Sequence, residues 1–263
     1  MAYDLIDIGA NLAHDSFDDD RDAVLERARA AGVNRLVITG SSDDSNRGAL
    51  ELARHTPGLF STAGVHPHHA KDYTDDSDAL IRELVNEPEC VAVGECGLDY
   101  FRNFSPREAQ LDAFRRQLDI AIETQKPVFL HQRDAHDDFV EVLEDALPKV
   151  SRAVAHCFTG EHESLREYLA MGLYIGVTGW ICDERRGKHL YEIVDVVPDD
   201  KLMIETDAPY LLPRTLTPKP KTRRNEPVHL TEVLRVVAEA RGQTEEHVAK
   251  ITTENAVRFF GLE

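Results

Sequence analysis

The sequence predicts an α/β fold, a (β/α)8 TIM barrel, and three observations carry that reading. The chain has 263 residues, and a barrel of this kind takes about 250. Eight short runs rich in apolar and β-branched residues alternate with amphipathic stretches from one end to the other, the pattern of βα units and a parallel sheet. Five of the runs end in His, Glu or Asp, and barrels of this class draw their catalytic groups from strand ends.

The elements follow in order. A strand falls at 4–8, and the heptapeptide that contains its start has neither the basic nor the apolar region of a signal peptide. A helix over 19–31 stops before Gly32. Next come a strand at 35–39, a helix at 43–54, a strand at 59–65, a short helix at 79–86 and a strand at 91–95. Ser105-Pro106-Arg107-Glu108 reads as an N-cap followed by proline at the first helical position, opening a long helix to about 125. The strands at 128–131, 153–156, 174–178 and 202–205 alternate with helices at 134–147, 161–171 and, more weakly, 188–194. Helices at 227–241 and 245–260 close the chain. Several strands are almost continuously apolar, as strands buried on both faces are. An open doubly wound sheet is the competing architecture, and it loses support because no G-x-G-x-x-G follows the first strand. Repeats and linkers are lacking, so residues 1–263 read as a single TIM-barrel hydrolase domain. The one long irregular stretch, 209–225, is of the length that loops keep for function.

Composition narrows the class. Hydrophobic residues make up 42 %, enough for a sizeable core, and no run is long and apolar enough to span a bilayer. Cys90, Cys96, Cys157 and Cys182 are scattered without a C-x-x-C pair, which disfavours a disulfide framework or zinc ribbon and fits reduced thiols in the cytoplasm. The net charge of −18 counts against broad nucleic-acid binding. It leaves room for a nuclease that holds one strand end through metal ions and a local basic cluster.

The strand ends carry the chemistry. They read Gly64-Val65-His66-Pro67-His68, Gly94-Glu95-Cys96-Gly97-Leu98-Asp99, His131-Gln132-Arg133-Asp134, His156-Cys157-Phe158 and Glu205-Thr206-Asp207. Glu95, His131 and His156 supply one carboxylate and two imidazoles, a set that suits a divalent metal with open positions. Asp207 completes the set, bridges to a second ion, or takes the proton from water. Such an ion lowers the pKa of its water and polarises a phosphoryl or carbonyl oxygen. Glu95 and Asp207 are therefore the candidate catalytic pair. His66 and His68 are candidate substrate contacts, as is Arg133, whose guanidinium suits a phosphate or a carboxylate. The basic run Arg214, Lys219, Lys221, Arg223 and Arg224 lies in the long loop of an acidic chain, where it would grip an anion. Phe158, Trp180 and Tyr210 fall just past strand ends, placed either to stack bases or to pack.

These strand-end motifs, together with Arg102 and Arg224-Asn225-Glu226-Pro227, resemble the TatD family of metal-dependent deoxyribonucleases. The resemblance runs through the whole chain in order. It implies a TIM-barrel hydrolase of the amidohydrolase type, a soluble cytoplasmic 3′–5′ exonuclease that trims single-stranded DNA and RNA with Mg²⁺. It also implies Glu95, His131 and His156 as metal ligands, with Asp207 at the same centre. One place departs from the usual pattern: where most members carry His-x-His, this chain has Gly9 and Asn11. Fewer nitrogen ligands shift the expected metal from Zn²⁺ towards Mg²⁺, with Mn²⁺ as a further choice, and leave one firm site and one weak one. The expected partners are single-stranded DNA or RNA ends, with no membrane, no stable protein partner and a monomeric state. The rival reading is a metal-dependent amidohydrolase or esterase acting on a small molecule or an aminoacyl ester; a third is a non-catalytic scaffold.

Overall fold

In the computed structural model, which describes residues 3–262, eight strands follow one another in chain order in a single sheet. They are β1 (Leu5–Ala10), β2 (Val33–Ile38), β3 (Leu59–Ala63), β4 (Cys90–Asp99), β5 (Val128–Arg133), β6 (Ala153–Ala155), β7 (Tyr174–Val177) and β8 (Leu202–Ile204). The ladders β3–β4, β4–β5, β5–β6 and β7–β8 are parallel. Helices α1 (Arg21–Ala30), α2 (Asp43–His55), α3 (Asp75–Leu84), α4 (Arg107–Thr124), α5 (His136–Ala146), α6 (His162–Ala170), α7 (Lys188–Ile193), α8 (Leu230–Arg241) and α9 (Glu245–Phe260) supply the crossovers and the C-terminal pair. This order and alternation are those of the (β/α)8 class. Met1, Ala2 and Glu263 lie outside the described residues. No helix among the described residues is long and apolar enough to cross a membrane. Contacts within the chain cluster into two units.

The first unit holds the chain to Val37, Cys157–Leu169 and everything from Tyr174 on. All six residues of β1 are buried, so its apolar content is a burial requirement rather than an alternation. Helix α9 starts on Thr244, whose side chain accepts the His247 amide at 3.2 Å, and stops at Gly261 with φ 70°. Its apolar face packs on β8 and β1, and the Phe259 ring meets Tyr174 edge-on at 5.1 Å. Burying each such side chain is worth about 1.5–3 kcal/mol.

The second unit holds Ile38–His156 and Ala170–Leu173. Ser42 and Thr74 open α2 and α3 with reciprocal side-chain to backbone caps, which satisfy amides that the first turn leaves unpaired. Helix α4 packs on β4, and its Phe114 stacks on Phe139 of α5 with ring centres 5.6 Å apart. Two expectations are corrected here. Strand β4 runs to Asp99, four residues beyond the expected end at 95. Ser105 does not cap α4: Pro106 occupies the N-cap position, while the Ser105 hydroxyl donates to the His68 carbonyl and accepts the Lys71 amide. Its polar group serves the turn after β3 instead of its own helix.

Candidate metal centre

The second unit brings Glu95, His131 and His156 together at adjacent strand ends. In the β4–β5 ladder Gly94 faces Phe129 and Cys96 faces Leu130, so Glu95 is the extra residue of a bulge. Bulges re-aim a side chain. The Glu95 amide turns to the Gly40 carbonyl at 2.7 Å. Glycines allow the approach: a Cβ on Gly94 would fall on the Phe129 carbonyl oxygen and one on Gly97 on that of His131, and both have φ above 130°. Only glycine holds that backbone without strain.

A single oxygen of Glu95 then collects the ring nitrogens. Oε1 lies 2.9 Å from His131 Nδ1, 2.7 Å from His156 Nε2 and 3.4 Å from His66 Nε2. A second carboxylate stands behind it: Asp99 Oδ2 is 2.8 Å from His68 Nε2 and 3.3 Å from His131 Nε2, and Asp99 Oδ1 accepts the Arg102 amide at 2.8 Å. Glu95 and Asp99 are 7 % and 2 % exposed, so each charge needs a partner.

The electrostatics follow from that packing. Burial alone would raise the Glu95 carboxyl, but the facing His156 and His66 and the bonds from His131 and His156 hold it well below its ordinary value. Burial likewise works against ionised Asp99, and the bonds from His131, His68 and the Arg102 amide overcome it and hold this carboxyl far down. Burial would lower His131, yet its bonds to Asp99 and Glu95 raise it. With a carboxylate at each nitrogen, His131 needs two N–H groups to satisfy both. It is either an imidazolium, or a cation takes the place of one of those protons. His66 goes the other way: burial pushes it down to about 4 against the pull of Glu95.

The three ligand atoms of His66, Glu95 and His131 lie within 4.8 Å of one another. Hydrogen bonding nevertheless separates His66 from the others. The His68 amide donates to His66 Nδ1 at 3.1 Å, which leaves the ring proton of neutral His66 on Nε2, facing Glu95. In that tautomer the Nε2 is a donor. Glu95 with His131 and His156 is a donor set of one carboxylate and two imidazoles that would fit a divalent cation. His66 remains a donor beside it. The turn that carries it is braced by Gln117, which is 1 % exposed, accepts the Val65 amide at 2.7 Å and donates to the Val65 carbonyl at 3.1 Å.

Asp207 belongs to the first unit. Its backbone has φ 55°, its amide donates to Gly9 O at 2.8 Å, and Asn11 Nδ2 donates to its Oδ1 at 3.1 Å. Asn11, at one of the two positions where histidines are usual, thus orients Asp207. Next to it Thr206 is fixed by Asp7, a wholly buried carboxylate that accepts the Thr206 hydroxyl at 2.5 Å, the Thr206 amide at 2.9 Å and the Gly9 amide at 3.3 Å.

The expected substrate contacts fall out unevenly. Arg133 is half-buried, its guanidinium 4.4 Å over the exposed Phe101 ring. Trp180 is half-buried with the Arg186 guanidinium 4.6 Å over its ring. Phe158 is 7 % exposed, edge-on to Tyr168 and lined up with Leu165, Ile175 and Val177; a ring so enclosed packs and offers no face to a base. Of the basic run, Arg214 is spent on Glu184, with both bonds at 3.1 Å. Arg224 is spent on Asp20 and Glu226. Lys219, Lys221 and Arg223 are exposed. Sequence reasoning places Asp99 in the strand-end motif but gives it no role, because the strand is expected to end at 95. It also missed the exposed Phe101 and Phe104 (54 % and 58 %). The signal for all three was present, in an acid and two phenylalanines directly after the Gly-Glu-Cys-Gly motif.

Comparison with known proteins agrees with this arrangement of elements. The family model described as TatD related DNase matches residues 6–261. A protein of Escherichia fergusonii named 3′-5′ ssDNA/RNA exonuclease TatD is 51 % identical over 258 residues, covering 98 % of this chain and 99 % of that one. Its namesake in Citrobacter rodentium is 50 % identical over 98 % of each. Among solved structures, the TatD homologue YJJV of Escherichia coli K12 superposes with a TM-score of 0.91 at 27 % identity, both chains fully covered. A TatD family hydrolase of Entamoeba histolytica gives 0.89 at 27 %, again over the full length of both.

Proposed function

This chain belongs to the TatD-related DNase family, and we propose that it is a metal-dependent phosphodiester hydrolase working as a 3′–5′ exonuclease on single-stranded DNA and RNA ends. One observation supports this above the others: two imidazoles meet one buried carboxylate oxygen, at 2.9 and 2.7 Å, in an arrangement that wants a cation. The fold implies a divalent metal, and Glu95, His131 and His156 would hold it. Mg²⁺ is our assignment, with Mn²⁺ and Zn²⁺ as the competitors that imidazole donors also suit.

When bound there, a divalent ion would supply Lewis-acid polarisation of the phosphoryl oxygen and lower the pKa of water. The chain's own groups do the rest. Asp99, at His131 Nε2, fixes the tautomer and orientation of that ring, as a carboxylate behind a metal-binding histidine does. His66 Nε2–H, beside Glu95, donates to a non-bridging phosphate oxygen, and His68 binds the strand beside it. Asp207, oriented by Asn11, is the proton acceptor that the first unit offers. Arg133 pairs with a phosphate of the strand, Arg223 with Lys219 and Lys221 grips the trailing backbone, and Trp180 packs against it. The acidic remainder of the chain favours a short strand end over broad contact. We further propose that residues 1–263 act as one domain, and that the protein is cytoplasmic and monomeric with no standing protein partner.

The test is a time course on 5′- and 3′-labelled single-stranded DNA and RNA with Mg²⁺, Mn²⁺ and Zn²⁺ in turn. The 5′-labelled strand should shorten one nucleotide at a time, and the 3′ label should leave at once as a mononucleotide. His156→Ala should abolish both. If the strand stays intact with every ion, or His156→Ala behaves as wild type, the reading fails. Hydrolysis of an amide or aminoacyl ester by the same preparation would then favour the amidohydrolase.

A further inference from the structure

The loop between β4 and α4 has a build that the metal centre does not explain. Phe101, Arg102, Asn103 and Phe104 are four consecutive exposed residues between buried Tyr100 and Ser105. Two phenylalanines more than half exposed on one short loop are a cost unless something covers them. Both ends of the loop are pinned. The Arg102 amide donates to Asp99 Oδ1 at 2.8 Å and the Tyr100 amide to the Arg133 carbonyl at 2.8 Å. Asn103, at φ 51°, donates from its side chain to the Tyr100 carbonyl at 2.7 Å. Buried Gln110 donates to the carbonyls of Asp99 and Ser105. The rings are thus presented on a fixed backbone.

Their neighbours are cationic and adjoin the centre. The Arg133 guanidinium lies 4.4 Å over Phe101 and that of Arg102 lies 5.6 Å from the same ring. Phe104 meets His68 at 4.8 Å between ring centres, and His68 bonds Asp99, which bonds His131. One ring therefore separates Phe104 from the metal-binding histidines. Aromatic faces alternating with guanidinium groups suit an alternation of flat bases and anionic phosphates. The place of the rings, one side chain from the metal centre, favours the substrate strand over a lipid surface or an acidic peptide.

We propose that Phe104 and Phe101 form a stacking platform for the nucleobases next to the scissile phosphate, with Arg133 and Arg102 holding the phosphate between them. This rests on the exonuclease reading and adds to it the residues that recognise the base. The platform selects strands whose terminal bases are unpaired, because a paired base offers no free face.

The test is a coupling between side chain and base. KM and kcat are measured for a single-stranded oligodeoxynucleotide and for the same strand with abasic units in place of its terminal nucleotides, using wild type, Phe104→Ala, Phe101→Ala and Phe104→Trp. Wild type should favour the base-bearing end by about 5- to 150-fold, chiefly in KM, the range expected for one to three kilocalories of stacking per base. Phe104→Ala should lower that ratio towards one, and Phe104→Trp should restore it. A ratio unchanged in Phe104→Ala and Phe101→Ala, or a wild type indifferent to the base, overturns the platform while leaving the exonuclease standing. If wild type shortens neither strand, the exonuclease reading falls and takes the platform with it. Both rings are exposed, so each alanine variant should keep the wild-type Tm.

Discussion

Asp7 offers the sharpest quantitative test. It is wholly buried in β1, and burial raises its carboxyl from 3.8 to about 7, opposed by bonds from Thr206 and Gly9 and reinforced by Glu205. Between those two values the folded chain holds a proton that the unfolded chain has lost, so stability falls as pH rises across that window. At about 1.36 kcal/mol per pH unit, the interval from 3.8 to about 7 corresponds to a loss on the order of 4 kcal/mol, complete above pH 7. Asp7→Asn mimics the protonated acid: its carbonyl can accept from the Gly9 and Thr206 amides, and its amide can donate to Thr206 Oγ1. Urea unfolding of both proteins from pH 4.5 to pH 8, followed by circular dichroism, should show the variant gaining on wild type as pH rises. The gain between pH 4.5 and pH 8 should be about 3 kcal/mol. Two curves that run parallel across the range would refute the reasoning, since the buried carboxyl would then titrate as it does in the unfolded chain.

Three further outcomes follow from the site. Asp99→Asn removes the charge behind His131 without removing a ligand; divalent-metal affinity by calorimetry should drop about 10- to 100-fold, and unchanged affinity would take Asp99 out of the centre. Gly97→Ala puts a Cβ onto the His131 carbonyl at φ 141°; stability should fall by at least about 3 kcal/mol, read as the urea midpoint together with loss of metal binding. Changing Lys219, Lys221 and Arg223 together to glutamine should leave the Tm in place and reduce the salt slope of single-strand binding by about 2, at about 0.7 per phosphate contact. The same change at Arg214 or Arg224 should cost stability instead, because each is already paired with acid.

Local patterns carried most of the fold. Helix α9 stands at the expected bounds because Thr244 and Gly261 mark both ends, and all eight strands lie where the apolar runs are. Errors gather at termini whose backbone is committed elsewhere. Ser105 looked like a cap and is instead bonded to the turn at His68. Strand β4 looked five residues long and is ten, because glycines and a charged pair hid an extended run that pairs with β5 from Val93 to Asp99, Glu95 excepted.

What the sequence by itself determined was the alternation of elements and the identity of the donor groups at strand ends, since both depend on residue type and spacing along the chain. What only the tertiary structure decided was which groups share an atom. The bulge at Glu95, the carboxylate of Asp99 behind His131 and the amide that fixes the tautomer of His66 are set by pairing between strands and by close backbone approach. Spent arginines at 214 and 224 and a buried Phe158 were undecidable for the same reason: a side chain's availability depends on residues far away in sequence, and spacing along one chain carries no record of them.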